Sequence, residues 1–172
     1  MTAPRRILVR LAGMAALVAG AVSLSAASDP SVHVIVEKYS NGTIRRVSEY
    51  RGNNLDGVTR GRYENGAIEY ERRYRNGREE GIHRGWYETG AKKFSYFFHN
   101  GVAEGQQRQW FRTGQLLTLF HYRSGHEDGQ QQMWNPDGTI RSNYVIKDGK
   151  RFGLIGSMGC TGKDSADAAN AR

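Results

Sequence analysis

Few side chains in this sequence are equipped for chemistry, and they do not line up. His83, His99, His121 and His126 have the type for general-base work or metal ligation, and Cys160 for nucleophilic or soft-ligand chemistry. A metal site needs three or four such groups converging on one point. The four histidines instead fall at four different positions of the repeat described below, so no histidine ladder forms. Separate solvated or cross-strand histidines are the better reading, and neither a metal, a cofactor nor a catalytic residue is expected. Residues Gly159-Cys160-Thr161-Gly162-Lys163 superficially resemble a phosphate loop, but the G-x-x-x-x-G-K spacing is missing and no helical pattern follows. Cys160 lies in a Gly-rich segment after the last strand pattern, open to oxidation, a mixed disulfide or metal contact. An inert tail thiol is the simpler reading, and a thiol-dependent redox or metal-handling role is the alternative.

The elements that position these groups are set by a repeat. Aligned with itself at an offset of 24, the chain yields five ungapped copies starting at Tyr39, Tyr63, Tyr87, Phe111 and Asn135. Position 4 is Gly42, Gly66, Gly90, Gly114 and Gly138; position 19 is Gly57, Gly81, Gly105, Gly129 and Gly153. Position 24 carries Arg62, Trp86, Trp110, Trp134 and Met158, and position 12 carries Tyr50, Tyr74, Phe98, Tyr122 and Ile146. Turn dipeptides such as Asn65-Gly66 and Asn76-Gly77 alternate with runs of interchanging apolar and polar residues, the mark of half-buried strands. The pattern predicts an all-β fold: an elongated, single-sheet antiparallel meander of about ten strands.

A two-residue turn at positions 3 and 4 and a four-residue loop at positions 14 to 17 give one register in which paired positions sum to 31. Position 12 then faces position 19, laying an aromatic ring over a strand glycine. Position 13 faces position 18, which pairs Arg51 with Asp56, Arg75 with Glu80, His99 with Glu104 and Arg123 with Asp128. These acids argue against reading the position-13 bases, with Arg60, Arg84 and Arg108, as a nucleic-acid track. Gln106, Gln107, Gln130, Gln131 and Gln132 are expected to solubilise an edge. Tyr63, Tyr87, Phe111, Ile68, Leu116, Ile140, Phe94, Tyr96 and Phe120 are expected on one face with the position-12 aromatics, and the three tryptophans with the charged pairs on the other.

The 172 residues include 25 Lys+Arg against 17 Asp+Glu, 22 glycines and one cysteine, which excludes a disulfide scaffold and does not suit a multidomain enzyme. Arg5, Arg6 and Arg10, the uncharged run from Leu11 to Leu24 and the small residues after it read as an export signal over residues 1–28, cleaved after Ala27 or Ser28. That run falls short of the ~20 residues a spanning helix needs, so no transmembrane segment is expected after signal removal. Residues 29–38 are expected to form a linker or first strand, 39–158 the repeats and 159–172 a flexible tail.

Tyr63-Glu64-Asn65-Gly66, then Tyr74-Arg75-Asn76-Gly77-Arg78-Glu79-Glu80-Gly81 and Trp86-Tyr87, resemble the MORN-repeat variant found in bacterial proteins grouped as the YwqK-type antitoxin family. The resemblance covers residues 39–158. It implies a β-hairpin array that contacts proteins or membranes and does not catalyse. Residues 159–172 lie outside it, and the export signal departs from a cytosolic antitoxin. The expected function is therefore a periplasmic or secreted, non-enzymatic module binding an unidentified protein or cell-envelope component, with nucleic acid disfavoured. Trp86, Trp110 and Trp134, then Tyr63, Tyr87 and Phe111, are the candidate contacts. An antitoxin or immunity-type protein is the alternative.

Overall fold

The computed structural model describes residues 5–9 and 31–154. All of its regular structure is β: β1 (Arg5–Val9), β2 (Val32–Lys38), β3 (Ile44–Arg51), β4 (Asn54–Arg62), β5 (Ile68–Arg75), β6 (Arg78–Glu79), β7 (Gly81–Trp86), β8 (Lys92–His99), β9 (Val102–Ala103), β10 (Gly105–Trp110), β11 (Leu116–Arg123), β12 (His126–Trp134), β13 (Ile140–Lys147) and β14 (Lys150–Leu154). They form one open antiparallel sheet whose order follows the chain, with β6 and β9 as short hairpin tips beside β5 and β8. The sheet is thus the meander that the repeat implies, longer by the β1–β2 end and by the two tips. β1 pairs with β2 from Arg5↔Lys38 to Val9↔Val34 and lies inside the segment that reads as an export signal. The rest of that segment, Cys160 and the 159–172 tail lie outside the described residues.

The turns are the reverse of the expected assignment. Positions 14 and 15 form the tight one: Asn76/Gly77, Asn100/Gly101, Ser124/Gly125 and Asp148/Gly149 all have consecutive positive φ, between 49° and 83°. That is the signature of a two-residue type I′ hairpin, whose twist matches that of the strands it joins. The turn between copies is the longer one. There Tyr63 N–H donates to Ala67 O (2.9 Å), Gly66 N–H to Tyr63 O (2.9 Å), and the Asn65 side chain accepts from Ala67 N–H (2.9 Å).

The register is corrected in the same way. Across the between-copy hairpins position 12 does face position 19, as in Gly57↔Tyr74, Gly81↔Phe98 and Gly105↔Tyr122. Within a copy it does not: Tyr50 faces Leu55 and Tyr122 faces Glu127, and a bulge then restores the expected pairing at Ser48↔Thr59 and Phe120↔Gln131. A two-residue turn plus a two-residue bulge consumes the same length as a four-residue loop, so periodicity does not separate the two. A second bulge near position 7 sets Arg62 opposite Ile68, Trp110 opposite Leu116 and Trp134 opposite Ile140. Directly opposed residues share a face, so Ile68, Leu116 and Ile140 lie with the tryptophan row and not with Phe94, Tyr96 and Phe120.

Among the described residues Tyr144 is the one large hydrophobic side chain that is buried; the other buried side chains are polar. Four of them, Thr59, His83, Gln107 and Gln131, share repeat position 21. Each stands two residues past the bulge glycine of its own strand, beside the position-11 N–H and C=O that the bulge takes out of regular register; Arg73 O and Phe97 O still accept from Glu80 and Glu104 N–H, at 2.9 and 3.0 Å. Gln131 bonds both groups: its Nε2 donates to His121 O (2.8 Å) and its Oε1 accepts from His121 N–H (3.1 Å). Gln107 does the same for Phe97, at 2.9 and 3.2 Å. His83 reaches only Arg73 O, through Nε2 at 2.8 Å. Thr59 is too short to reach at all and its hydroxyl has no partner; there the Glu49 carboxylate accepts from Val58 N–H (2.8 Å) instead. Gln107 and Gln131 therefore hold the bulges closed, a structural role in place of the expected edge-solubilising one. Buried polar groups of this kind are stable only because their bonds are complete.

Successive turns are tied at both edges of the sheet. Gly77 N–H donates to Leu55 O (2.7 Å), Gly101 N–H to Glu79 O (2.8 Å) and Gly125 N–H to Ala103 O (3.0 Å), docking each tip on the preceding one. At the other edge the Tyr39, Tyr63 and Tyr87 hydroxyls donate to the carbonyls of the last residue of their own copy, Arg62, Trp86 and Trp110, at 2.7, 2.9 and 2.8 Å, joining one between-copy turn to the next.

Candidate functional site

Strand alternation gives the sheet two unlike faces. One carries positions 8, 10, 12, 19, 21 and 23. Its side chains fill each other's space around the position-21 row, leaving a groove of about 280 Å³ lined by Tyr96, Phe98, Phe120 and Tyr122 with Gln107, Gln109 and Thr118. Burial pushes the Tyr96 and Tyr122 phenols above their ordinary range, so both are neutral hydrogen-bonding groups at any physiological pH.

The other face carries positions 9, 11, 20, 22 and 24 and has no covering layer. Here Ile82 faces Phe97 across β7–β8 with 45% and 39% of their surfaces exposed. Val145 faces Phe152 across β13–β14 at 42% and 54%.

The expected contact residues divide on this framework. Trp86 and Trp110 are brought together: both are half-buried and line one cleft of about 190 Å³ on the uncovered face. Trp134 lies further along, opposite Ile140, outside that cleft. The hydroxyls of Tyr63 and Tyr87 are engaged by the last residue of their own copies, at the next between-copy turn, and burial raises the Tyr63 phenol, which fits a tie between turns better than a free contact. Phe111 closes the turn before β11 through its backbone bonds to Gln115 and Gly114. The repeat glycines at position 4, Gly42, Gly66, Gly90, Gly114 and Gly138, have φ between 84° and 88°, a conformation that the between-copy turn requires. At position 19, Gly57, Gly81, Gly105 and Gly129 also have positive φ and lie in the bulge, whereas Gly153, with positive φ too, sits in the unshifted β13–β14 ladder opposite Tyr144.

The charged ladder is split. Arg51 Nε lies 3.2 Å from Asp56 and Arg123 Nε 3.0 Å from Asp128. Glu80 and Glu104 turn away from their own copies to the next tip. Glu80 accepts from Asn100 N–H (3.0 Å) and lies 3.3 Å from His99, and Glu104 accepts from Ser124 N–H (2.7 Å). The Asn100 amide, with His99 beside it, holds the Glu80 carboxyl below the usual range. One methylene separates the two behaviours: the aspartates are too short to span to the next tip. Sequence periodicity aligned all four acids but was blind to this reach.

No group of three or more His, Cys, Asp or Glu is arranged to hold a metal ion among the described residues. In the same residues no helix is long and apolar enough to cross a membrane.

Comparison with known families adds one finding: the MORN repeat variant model matches residues 55–76. The matched stretch takes in most of β4, the between-copy turn and β5, so the family unit coincides with the between-copy hairpin. No curated protein matches the chain. This protein therefore contains a MORN-type repeat unit, of the kind commonly used for protein or membrane contact and typically not for catalysis.

Proposed function

We propose that this chain is an exported, non-enzymatic interaction module that presents the uncovered, tryptophan-bearing face of its sheet to another protein of the cell envelope or secreted fraction. The observation that carries this reading is the difference between the faces. One is filled by its own side chains around a polar row, while the other leaves the Ile82/Phe97 and Val145/Phe152 pairs open to solvent. An open pair has no value to the fold comparable to its burial under a partner, where an aromatic side chain contributes most. The MORN-type hairpin supports a contact role, and the charged start with its apolar run supports export.

The test is a crosslinking capture from the envelope and secreted fractions with the native chain and with Phe97→Asp/Phe152→Asp. A specific partner should be recovered by the native chain and lost by the variant, whose melting temperature stays within a few degrees. Recovery of the same partner by both would remove the uncovered face from the function. N-terminal sequencing of the mature protein should begin near Ser28 or Asp29; an intact Met1 on a cytosolic protein would sink the export half of the reading.

A further inference from the structure

We infer that the cleft between Trp86 and Trp110 is a recognition site for an extended acidic peptide segment in which carboxylate and apolar side chains alternate along one side. The inference deepens the interaction role proposed above and rests on it. The cleft is lined by Arg84, Trp86, Lys92, Ser95, Arg108 and Trp110, three cations and two indoles with no carboxylate among them. In register Ser95 stands between Arg84 and Arg108, facing both. This sets the cleft apart from the adjoining repeat, where Arg60 Nε is bound by Glu71 at 2.8 Å. Glu71 faces Arg84 from β5, but its carboxylate is engaged with Arg60. Arg108 is held by the neutral Gln106 side chain, and the Lys92 ammonium lies 5.9 Å from the Trp110 ring centre. Positive charge is therefore in excess here, because the carboxylate that faces Arg84 already bonds Arg60.

The spacing selects the ligand. Arg84 and Trp86 on β7, and Arg108 and Trp110 on β10, stand two residues apart along strands that run in the same direction on either side of β8. Each pair offers one charge and one apolar surface about 7 Å apart, the period at which an extended peptide presents alternate side chains on one side. A polyphosphate would carry charge at both points and leave the indoles unused. An acidic–apolar segment satisfies both, its carboxylates on the arginines, where the planar guanidinium gives paired hydrogen bonds, and its apolar groups on the tryptophans.

The test uses the full chain and a fluorescently labelled, end-capped peptide repeating Glu-Ser-Leu-Ser, which puts glutamate and leucine alternately on one side when extended, read by anisotropy. The same peptide with glutamine for glutamate and vesicles of anionic phospholipid are the comparison probes. Arg84→Gln and Arg108→Gln should each weaken binding of the acidic peptide about tenfold, as loss of one partner in a charged contact does. Arg123→Gln, whose guanidinium is paired with Asp128 outside the cleft, should change it less than twofold. Equal losses for all three variants would reduce the effect to net charge and overturn the site, as would undiminished binding of the glutamine peptide. Vesicle binding lost in Arg84→Gln without any binding of the acidic peptide would assign the cleft to a lipid surface instead. Because Phe97 and Phe152 lie outside the cleft lining, Phe97→Asp/Phe152→Asp should keep peptide affinity. Partner capture lost there with peptide binding retained separates failure of this inference from failure of the broader role.

Discussion

The two halves of the sheet solve one packing problem in opposite ways. Position 23 of each copy faces position 8 of the next. In the N-terminal half this pair is Gly61 with Tyr70 and Gly85 with Phe94; in the C-terminal half it is Gln109 with Thr118 and Met133 with Ser142. A Cβ added to Gly85 would overlap the Phe94 ring, and one added to Gly61 the Tyr70 ring. The slot has a fixed volume that is divided as nothing plus a ring, or as a long chain plus a small hydroxyl residue. What the repeat preserves is therefore a sum over two strands, not a residue at a position.

Exchanging one member should break that sum and exchanging both should restore it. Gly85→Gln against an intact Phe94 is expected to destabilise the protein by about 3 kcal/mol, the upper range for overpacking. Adding Phe94→Thr, which recreates the C-terminal pairing, should recover most of the loss. Denaturant titration of the two variants checks this. If the double variant is no better than the single one, the two halves do not share a common slot.

The bulge row sharpens the same comparison. Gln131 satisfies both backbone groups of His121, whereas His83 satisfies one group of Arg73. Gln131→Leu should therefore cost about 2 kcal/mol, in line with the loss of two bonds, and His83→Leu about 0.5 kcal/mol, because Arg73 O keeps its bond from Glu80 N–H (2.9 Å). In an array stabilised by contacts between neighbours these losses should stay local. Hydrogen exchange should show faster opening of β11–β12 in the first variant and of β5–β7 in the second. Equal costs would mean that water replaces the missing bond at His121.

The halves should also differ with pH. His83 is 2% exposed, between the Tyr74 and Phe98 rings at 5.7 and 4.9 Å, and burial pushes its imidazole below the ordinary range. Its bond to Arg73 O and the Glu79 carboxylate 3.7 Å from Nδ1 oppose that shift without cancelling it. A lowered folded-state value means that the unfolded chain takes up the proton first. The contribution is complete above the unfolded value of about 6.5 and is lost as the pH falls through the folded one. Melting temperature should drop between pH 7.5 and pH 5, and His83→Gln, which borrows the residue of the C-terminal copies, should flatten that part of the profile. An unchanged profile in His83→Gln would assign the acid sensitivity elsewhere.

These contrasts also mark what periodicity can and cannot reach. Five glycine-marked copies at an offset of 24 identify an antiparallel meander because turns and alternation are local properties of the chain. The bulges at positions 18 to 20 and at position 7 are not local. They arise from how a two-residue turn fits the next strand, and they decide that Gln131 is interior and that Ile68 shares a face with the tryptophans. The Trp86/Trp110 cleft is half-readable: the tryptophans stand out by their phase, but the lack of an acid between Arg84 and Arg108 follows from Ser95 in the register between them.

The smallest effects belong to the charged ladder, and they separate its two kinds of rung. Arg123 and Asp128 are joined at 3.0 Å with both side chains largely in solvent, 79% and 39% exposed. A double-mutant cycle there should give a coupling of about 0.2 to 1 kcal/mol that fades in high salt. The same cycle at Arg75 and Glu80 should give none, because Glu80 is engaged by Asn100 N–H and His99 of the next tip. Glu80→Gln should instead loosen the tip at Asn100-Gly101, seen as faster amide exchange at Asn100, and Glu80→Asp should fail to rescue it because the shorter chain cannot span the gap. A measurable Arg75–Glu80 coupling with unaltered exchange at Asn100 would show that the rung closes within its own copy. In that case the length of the acid would not determine which partner it takes.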